Sequence, residues 1–250
     1  MFSNLIGVFD SGVGGLSVLE SCRAVLPDEQ FLYFADKEFS PYGDKSDDFI
    51  KERVFYISEN FIKRGVKAIV VACNTATNVG IKMLREKFKI PFVGLEPAIK
   101  PAVVECGNKK IILLCTPATA RQTKFTELLK KHDTGNIHIV ATSGLACLIE
   151  KNFNNLDDIA NKVYDILLPH SDASGIILGC THYVHIKPMI QNFYQKLASN
   201  SGVKIFDGNE GAARRLKELL YTNKLTGVLT TSYNLQTTNY SGLTFKTHKL

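Results

Sequence analysis

The stretch Val70–Thr77, VVACNTAT, runs apolar for three residues and then presents a thiol, an amide and a hydroxyl in succession. A short β-branched run that ends abruptly in hydrogen-bonding groups, ahead of a helical pattern, reads as a buried strand delivering a polar tip. The chain contains a second such segment, IILGCTHY at Ile176–Tyr183, in which Cys180 is followed by Thr181 and His182. Ligands of open α/β sheets bind beyond the carboxyl ends of the strands, so both tips fall where a site is expected.

Working outward, short apolar runs alternate with amphipathic ones. Strands are expected at Leu5–Phe9, Phe31–Ala35, Ala68–Ala72, Phe92–Gly94, Lys110–Cys115, His138–Ala141, Gly175–Leu178 and Lys204–Phe206. Helical patterns fill the intervals: Leu16–Leu26, Asp47–Arg64, Asn78–Phe88, Ala118–Lys131, Leu156–Leu168, Ile186–Leu197 and Glu210–Tyr221. This order predicts mostly parallel sheets covered by helices on both faces. Strand, small residue and polar tip also recur at an offset of about 106 residues, which indicates an internal repeat. In it Asp10 matches Thr116, Ala35–Asp36 matches Ala141–Thr142, the turn Pro41–Tyr42–Gly43 lies opposite Cys147–Leu148–Ile149, and Cys73 matches Cys180. The expected fold is therefore α/β, with two pseudo-symmetric three-layer domains and a site in the cleft between them. The first comprises residues 1–97 and 207–250, the second residues 98–206. The stretch from Glu96 to Pro101 is expected to cross between them, and a second crossing near Asp207 returns the last helix to the first.

Composition narrows the setting. The chain has 250 residues, 45% hydrophobic and 22% charged, with a formal charge of +6. That is enough apolar material for two domains, and its basic doublets are too short to indicate a nucleic-acid partner. No apolar run approaches the roughly 18 residues of a membrane span, and no signal peptide is evident. The six cysteines form no CxxC pair, so reduced thiols, a cytoplasmic location and no structural metal are expected.

Two like lobes facing each other place Cys73 and Cys180 on opposite walls. A thiol is acidic enough to serve as base in one state and acid in the other. Taking a proton from one face of a carbon and returning one to the other face inverts it, which needs two bases and no redox cofactor. The DSGVGG turn at Asp10–Gly15 has the strand–glycine–helix order that cradles anions, without the spacing of a nucleotide site. Asn74, Thr75, Thr116, Thr119 and Thr181 supply neutral donors for carboxylates, and Asp10 is placed to hold an ammonium or orient a thiol. A dicarboxylate amino acid suits this set.

The segments IGVFDSGVGGLSVL, YFADKEFSPYGDKS, VVACNTAT, PFVGLEPAIKPA, TPAT and IILGCTH resemble the glutamate racemases of the aspartate/glutamate racemase superfamily. They run in order from Ile6 to His182. The resemblance implies interconversion of L- and D-glutamate without a cofactor, in supply of D-glutamate to peptidoglycan. It implies Cys73 and Cys180 as the catalytic pair, acting on the D- and L-enantiomer respectively, with Asp10, His182 and Glu150 assisting. It implies substrate contacts at Asp10–Ser11, at Pro41, Tyr42 and Gly43, at Asn74–Thr75, at Thr116 and Thr119, and at Thr181–His182. A small-molecule partner, L- or D-glutamate, and a homodimer are the expected associations. The chain departs from the family pattern after Cys180 (HYVHI), before Glu150 (SGLACLIE) and in the tail from Thr230.

Simpler readings stand beside these. Cys22, Cys106, Cys115 and Cys147 read as small buried hydrophobes, and His132, His138, His170, His185 and His248 as packing or surface residues. Asp10 and Asp36 fit helix caps, Tyr42 a turn aromatic and Glu150 a surface carboxylate at the start of a loop. Aspartate or hydantoin racemisation, non-catalytic amino-acid binding and two-thiol redox chemistry are the alternative functions.

Overall fold

In the computed structural model of the chain, residues 4–197 and 202–226 are described in full, and residues 238–240 and 243–247 by backbone. Eight β-rich runs form strands as the sequence predicts: β1 (Ile6–Asp10), β2 (Phe31–Ala35), β3 (Ala68–Val71), β4 (Phe92–Gly94), β5 (Ile111–Cys115), β6 (Ile137–Ala141), β7 (Gly175–Leu178) and β8 (Lys204–Asp207). They pair in parallel as two sheets of the same order, β4-β3-β1-β2 and β8-β7-β5-β6. The chain thus repeats one α/β unit, and the cysteine tips follow equivalent central strands, β3 and β7. Register refines the repeat. Asp10 pairs with Ala35 and Cys115 pairs with Ala141, so the equivalent of Asp10 is Cys115, and Thr116 lies one residue beyond.

Helices cover both faces of the central strands of each sheet, while the edge strand β6 leaves His138, Ile139 and Ala141 exposed. On the first, α1 (Leu16–Val25) and α11 (Asn209–Thr222) bury Val18, Leu19, Ala213 and Leu216 against Ile6, Val8 and Val70. On its other face α2 (Asp47–Lys63) and α3 (Asn74–Lys87) bury Ile50, Val54, Phe61 and Ile81 against Phe9, Ile69 and Val71. The second sheet lies between α4 (Ile99–Cys106) with α6 (Thr123–His132) and α7 (Leu145–Lys151) with α8 (Ala160–Leu167) and α10 (Lys187–Lys196). Alternate strand residues serve opposite faces, which is why these strands read as unbroken apolar runs.

The ends of the helices decide where side chains stand. Ser46 caps α2, its Oγ accepting from the Phe49 N–H at 3.3 Å, with Asp47 and Asp48 in the first turn facing the positive end of the dipole. α3 begins at Asn74 rather than at Asn78, because Cys73 itself caps it: Sγ accepts from the Ala76 N–H at 3.4 Å. The expected helix Ala118–Lys131 is two pieces, α5 (Pro117–Ala120) and α6, parted where Gln122 turns extended and gives its side-chain amide to Asp47. Likewise Thr181–Val184 forms a separate turn, α9, ahead of α10, whose first turn holds Pro188. Within the stretch after Glu96, Ile99–Cys106 is helical, with Pro101 in the first turn, where a missing N–H costs nothing.

Beyond α11 the chain adds β9 (Thr238–Tyr240) and β10 (Leu243–Thr247). β10 runs antiparallel to β2 and extends the first sheet. The remainder of the tail, including His248, lies outside the described residues. Among those described, no helix is long and apolar enough to cross a membrane.

Phe61 is fully buried, and its ring packs 3.1 Å from the position a Cβ on Gly7 would take. Phe61→Ala is expected to destabilise the chain by about 3–5 kcal/mol through cavity formation, read as a lower urea midpoint.

Candidate active site

The tips of β1, β3, β5 and β7 meet at one seam between the two halves, and the seam is lined by polar groups withdrawn from water. Asp10 ends β1 and is fully buried. Its Oδ2 accepts from the Gly12 and Gly15 N–H groups at 3.0 and 3.1 Å, and its Oδ1 from the Thr181 hydroxyl of the other half at 3.3 Å. It therefore secures the turn ahead of α1 and bridges the seam. Gly12 and Gly14 are required there. A Cβ on Gly12 would lie 2.1 Å from Glu150 Oε2, and one on Gly14 2.5 Å from Thr181 Oγ1.

The two cysteine tips meet at this turn. Cys73 Sγ lies 3.9 Å from the Ser11 hydroxyl, and Cys180 Sγ lies 3.8 Å from His182 Nδ1. The sulfurs are 5% and 7% exposed residues, and each thiol sits within the electrostatic reach of the other. Burial, then the nearby Asp10 charge, pushes the Cys73 thiol well above its ordinary value; the Ala76 N–H opposes this only in part. These influences favour the protonated form of Cys73. Asp10 is also raised, by burial first, against the pull of His182 and the two backbone donors. It is a carboxylate held ready to accept a proton.

His182 is buried and joins Cys180 to Glu150, its Nε2 lying 2.7 Å from Glu150 Oε2. Burial works to lower the imidazole, but the hydrogen bonds to Cys180 and Glu150 and the charges of Cys180 and Asp10 overcome it and hold His182 well above the usual histidine range. Glu150 is lowered overall: its desolvation is outweighed by His182 and by the Val13 N–H, which donates at 2.9 Å from across the seam. Glu150 stands on α7, a helix that the sequence reading placed in a loop.

A second group of neutral donors flanks the thiols. Thr75 Oγ1 lies 3.1 Å from Thr116 Oγ1 and 3.2 Å from Thr119 Oγ1, and Thr116 and Thr119 lie 3.1 Å apart, so three hydroxyls from two halves bond one another. Thr116 also caps α5. Tyr42 and Gly43 are buried beside them, Gly43 so close that a Cβ would meet Thr116 Cγ2 at 2.9 Å; Pro41 is half-buried and follows a cis peptide bond. Asn74 is buried with its side-chain oxygen unpartnered. Side by side in the fold thus stand Asp10, Ser11, Cys73, Glu150, Cys180, Thr181 and His182 in one cluster and Gly43, Thr75, Thr116 and Thr119 in the next. Two that were missed also touch the site: Tyr33, whose hydroxyl donates to the Gly12 carbonyl at 2.9 Å, and Ser40, whose Oγ lies 2.6 Å from a Cβ built on Gly12. The inward position of Tyr33 at the centre of β2 was the available signal. Cys22 and Cys106 are buried on α1 and α4, Cys115 is buried at the end of β5 one residue before Thr116, Cys147 is half-buried, and burial first lifts the thiols of Cys22 and Cys115 to about 12, beyond useful reactivity. A separate cavity of about 1400 Å³, lined among others by Arg85, Pro97, Lys187, Asp207 and Arg215, includes none of the thiol or hydroxyl groups.

Comparison with known proteins agrees with this geometry. The profile of the Asp/Glu/Hydantoin racemase family matches residues 15–216. A glutamate racemase of Clostridium kluyveri is 41% identical over 220 residues, 86% of this chain and 83% of its own; one of Halothermothrix orenii is 40% identical over 220 residues, with 86% and 84% covered. Among solved structures, Escherichia coli glutamate racemase in complex with L-glutamate and the activator UDP-MurNAc-ala superposes with a TM-score of 0.77 at 35% identity, covering 87% of this chain and 82% of that one. Glutamate racemase isoform RacE1 of Bacillus anthracis gives 0.75 at 32%, covering 88% and 83%.

Glu150→Gln tests the electrostatics. A raised histidine contributes stability that is complete below the unfolded value near 6.5 and lost as pH rises through the folded value, while a lowered Glu150 contributes above about 4.3 and loses it as pH falls. The stability difference between the parent and Glu150→Gln should therefore peak between about 4.3 and 6.5. It should amount to about 1 kcal/mol, the low end for a charged hydrogen bond because Glu150 retains some contact with water. NMR titration of the imidazole should show His182 lower in the variant.

Proposed function

The chain belongs to the Asp/Glu/hydantoin racemase family and is an amino-acid racemase, and we propose that it interconverts L- and D-glutamate by proton transfer between Cys73 and Cys180 through the α-carbon. The observation that carries this reading is the pair of thiols on equivalent tips of two duplicated sheets, joined through Asp10, Ser11 and Thr181 into one buried cluster. The α-carbon would lie between the sulfurs. One thiolate removes the α-proton, the C–H electron pair passes into the α-carboxylate, and the opposite S–H delivers a proton to the other face. Charge on the carboxylate is offset by helix N-termini at Asn74 and Thr181 and by neighbouring hydroxyls.

Each sulfur has its own proton partner. Asp10, raised by burial, is suited to exchange a proton with the Cys73 side, and His182, tied to Glu150, with the Cys180 side. The pairing lets a resting thiol become a base when needed. The three threonine hydroxyls are donors for a carboxylate that replaces their mutual bonds, and the Asn74 oxygen is a free acceptor for the substrate ammonium. Water exclusion follows from burial and keeps the carbanion from random reprotonation. The organic steps need only these side chains, so the proposal includes no cofactor. D-glutamate for peptidoglycan, made in the cytoplasm, is the proposed physiological product. Substrate contacts at Pro41, Tyr42 and Gly43, and a homodimeric assembly, belong to the same reading.

Circular dichroism on each glutamate enantiomer, with no cofactor added, should show decay to the racemate. Cys73→Ala and Cys180→Ala should each lower racemisation by at least about 100-fold. Solvent deuterium should fail to enter the α-position from D-glutamate in the first variant and from L-glutamate in the second. Racemisation persisting in both single variants rejects the mechanism.

A further inference from the structure

We infer that Arg53, on the outer helix α2, is a positioning residue for substrate binding: it forks Asp36 into the orientation that holds the Tyr42–Gly43 turn against the cleft. The inference rests on the racemase reading, since it assigns that turn to the substrate wall.

The links are direct. Arg53 Nε donates to Asp36 Oδ2 at 3.0 Å and Nη2 to Oδ1 at 2.6 Å, a two-point fork that fixes the carboxylate plane. The same Oδ2 accepts the Tyr42 hydroxyl at 2.5 Å. The Asp36 N–H donates to the Asp10 carbonyl at 3.0 Å, so one residue fastens the turn to the β1 tip. The guanidinium itself is packed, 4.1 Å from the Phe39 ring centre and 5.3 Å from that of Tyr56. Asp36 and Tyr42 are 2% and 1% exposed, which leaves the carboxylate dependent on these partners. At the far end of the turn the Lys45 carbonyl accepts from Arg121 Nη2 of the other half at 3.1 Å. Asp36 is therefore no helix cap: the 3₁₀ turn after it receives no bond from its side chain.

A plain counter-ion role makes a different forecast. If Arg53 only neutralises Asp36, Arg53→Lys preserves the charge and should act like the parent. If the fork sets the turn, Lys cannot replace it, because an ammonium lacks the planar pair of donors and the ring stacking. The turn packs against Thr116 and carries no group of the proton-transfer step, so its displacement should weaken binding and leave proton transfer intact. Initial rates on both enantiomers should give a KM raised by about tenfold in Arg53→Lys, with kcat within about twofold of the parent. Asp36→Asn, which keeps the side-chain shape but replaces one of the two forked acceptor oxygens with an amide, should show the same split and covers the case in which the Arg53 variant does not fold. Parental KM in Arg53→Lys or in Asp36→Asn overturns the inference. A parent inactive on glutamate overturns the racemase reading instead.

Discussion

The carboxylate of Asp10 is the constraint around which the two halves are assembled. It is wholly withdrawn from water, so its oxygens must find donors within the protein. Two come from the glycine turn that follows β1 and one from Thr181 beyond β7. Satisfying one acid thus fixes the turn, the start of α1 and the approach of the second half. Cys73 and Cys180 are carried to the same place because each occupies the residue just ahead of the helix that follows a central strand, Cys73 also capping that helix through its sulfur. Duplication of a parallel sheet supplies the two walls, and the buried carboxylate supplies their registration.

Burial gives these groups their chemistry as well as their positions. A thiol in water is weakly acidic and readily oxidised. Here desolvation and the Asp10 charge push the Cys73 thiol up, while hydrogen bonds to Cys180 and Glu150 outweigh burial and raise His182 above the usual histidine range. The two walls are alike in backbone and unlike in electrostatics: an aspartate stands by one sulfur and a histidine paired with Glu150 by the other. That difference suits a site that must treat mirror-image substrates from opposite faces, because no mirror plane relates its own L-residues.

Much of this was legible in the sequence because the signals are local. The strands are short apolar runs between turn residues, and the tips CNT and CTH stand where those runs stop. What escaped was short or distant. α7 has seven residues, less than the window in which a helical period can be read, so Glu150 was expected in a loop. α4 lay hidden behind Pro97 and Pro101, although a proline in a first turn does not oppose a helix. The register of β1 against β2 moved the counterpart of Asp10 from Thr116 to Cys115, a one-residue difference that pattern matching does not resolve. Asp36 looked like a cap because its neighbours suggest one; its partner, Arg53, comes back to it only after the chain has turned into α2. β10, drawn from a tail rich in Ser and Thr, finds its identity only by pairing with β2.

The ring of Thr75, Thr116 and Thr119 has a thermodynamic consequence for the vacant enzyme. Its hydroxyls act as one another's placeholder ligand, so the cleft carries no unmet hydrogen-bonding demand at that spot while it waits. On the proposed reading, a carboxylate bound there gains only the difference between its own bonds and those it displaces. Tight retention is thereby tempered for both enantiomers alike, which is what a catalyst of a near-thermoneutral equilibrium needs in order to let either product go.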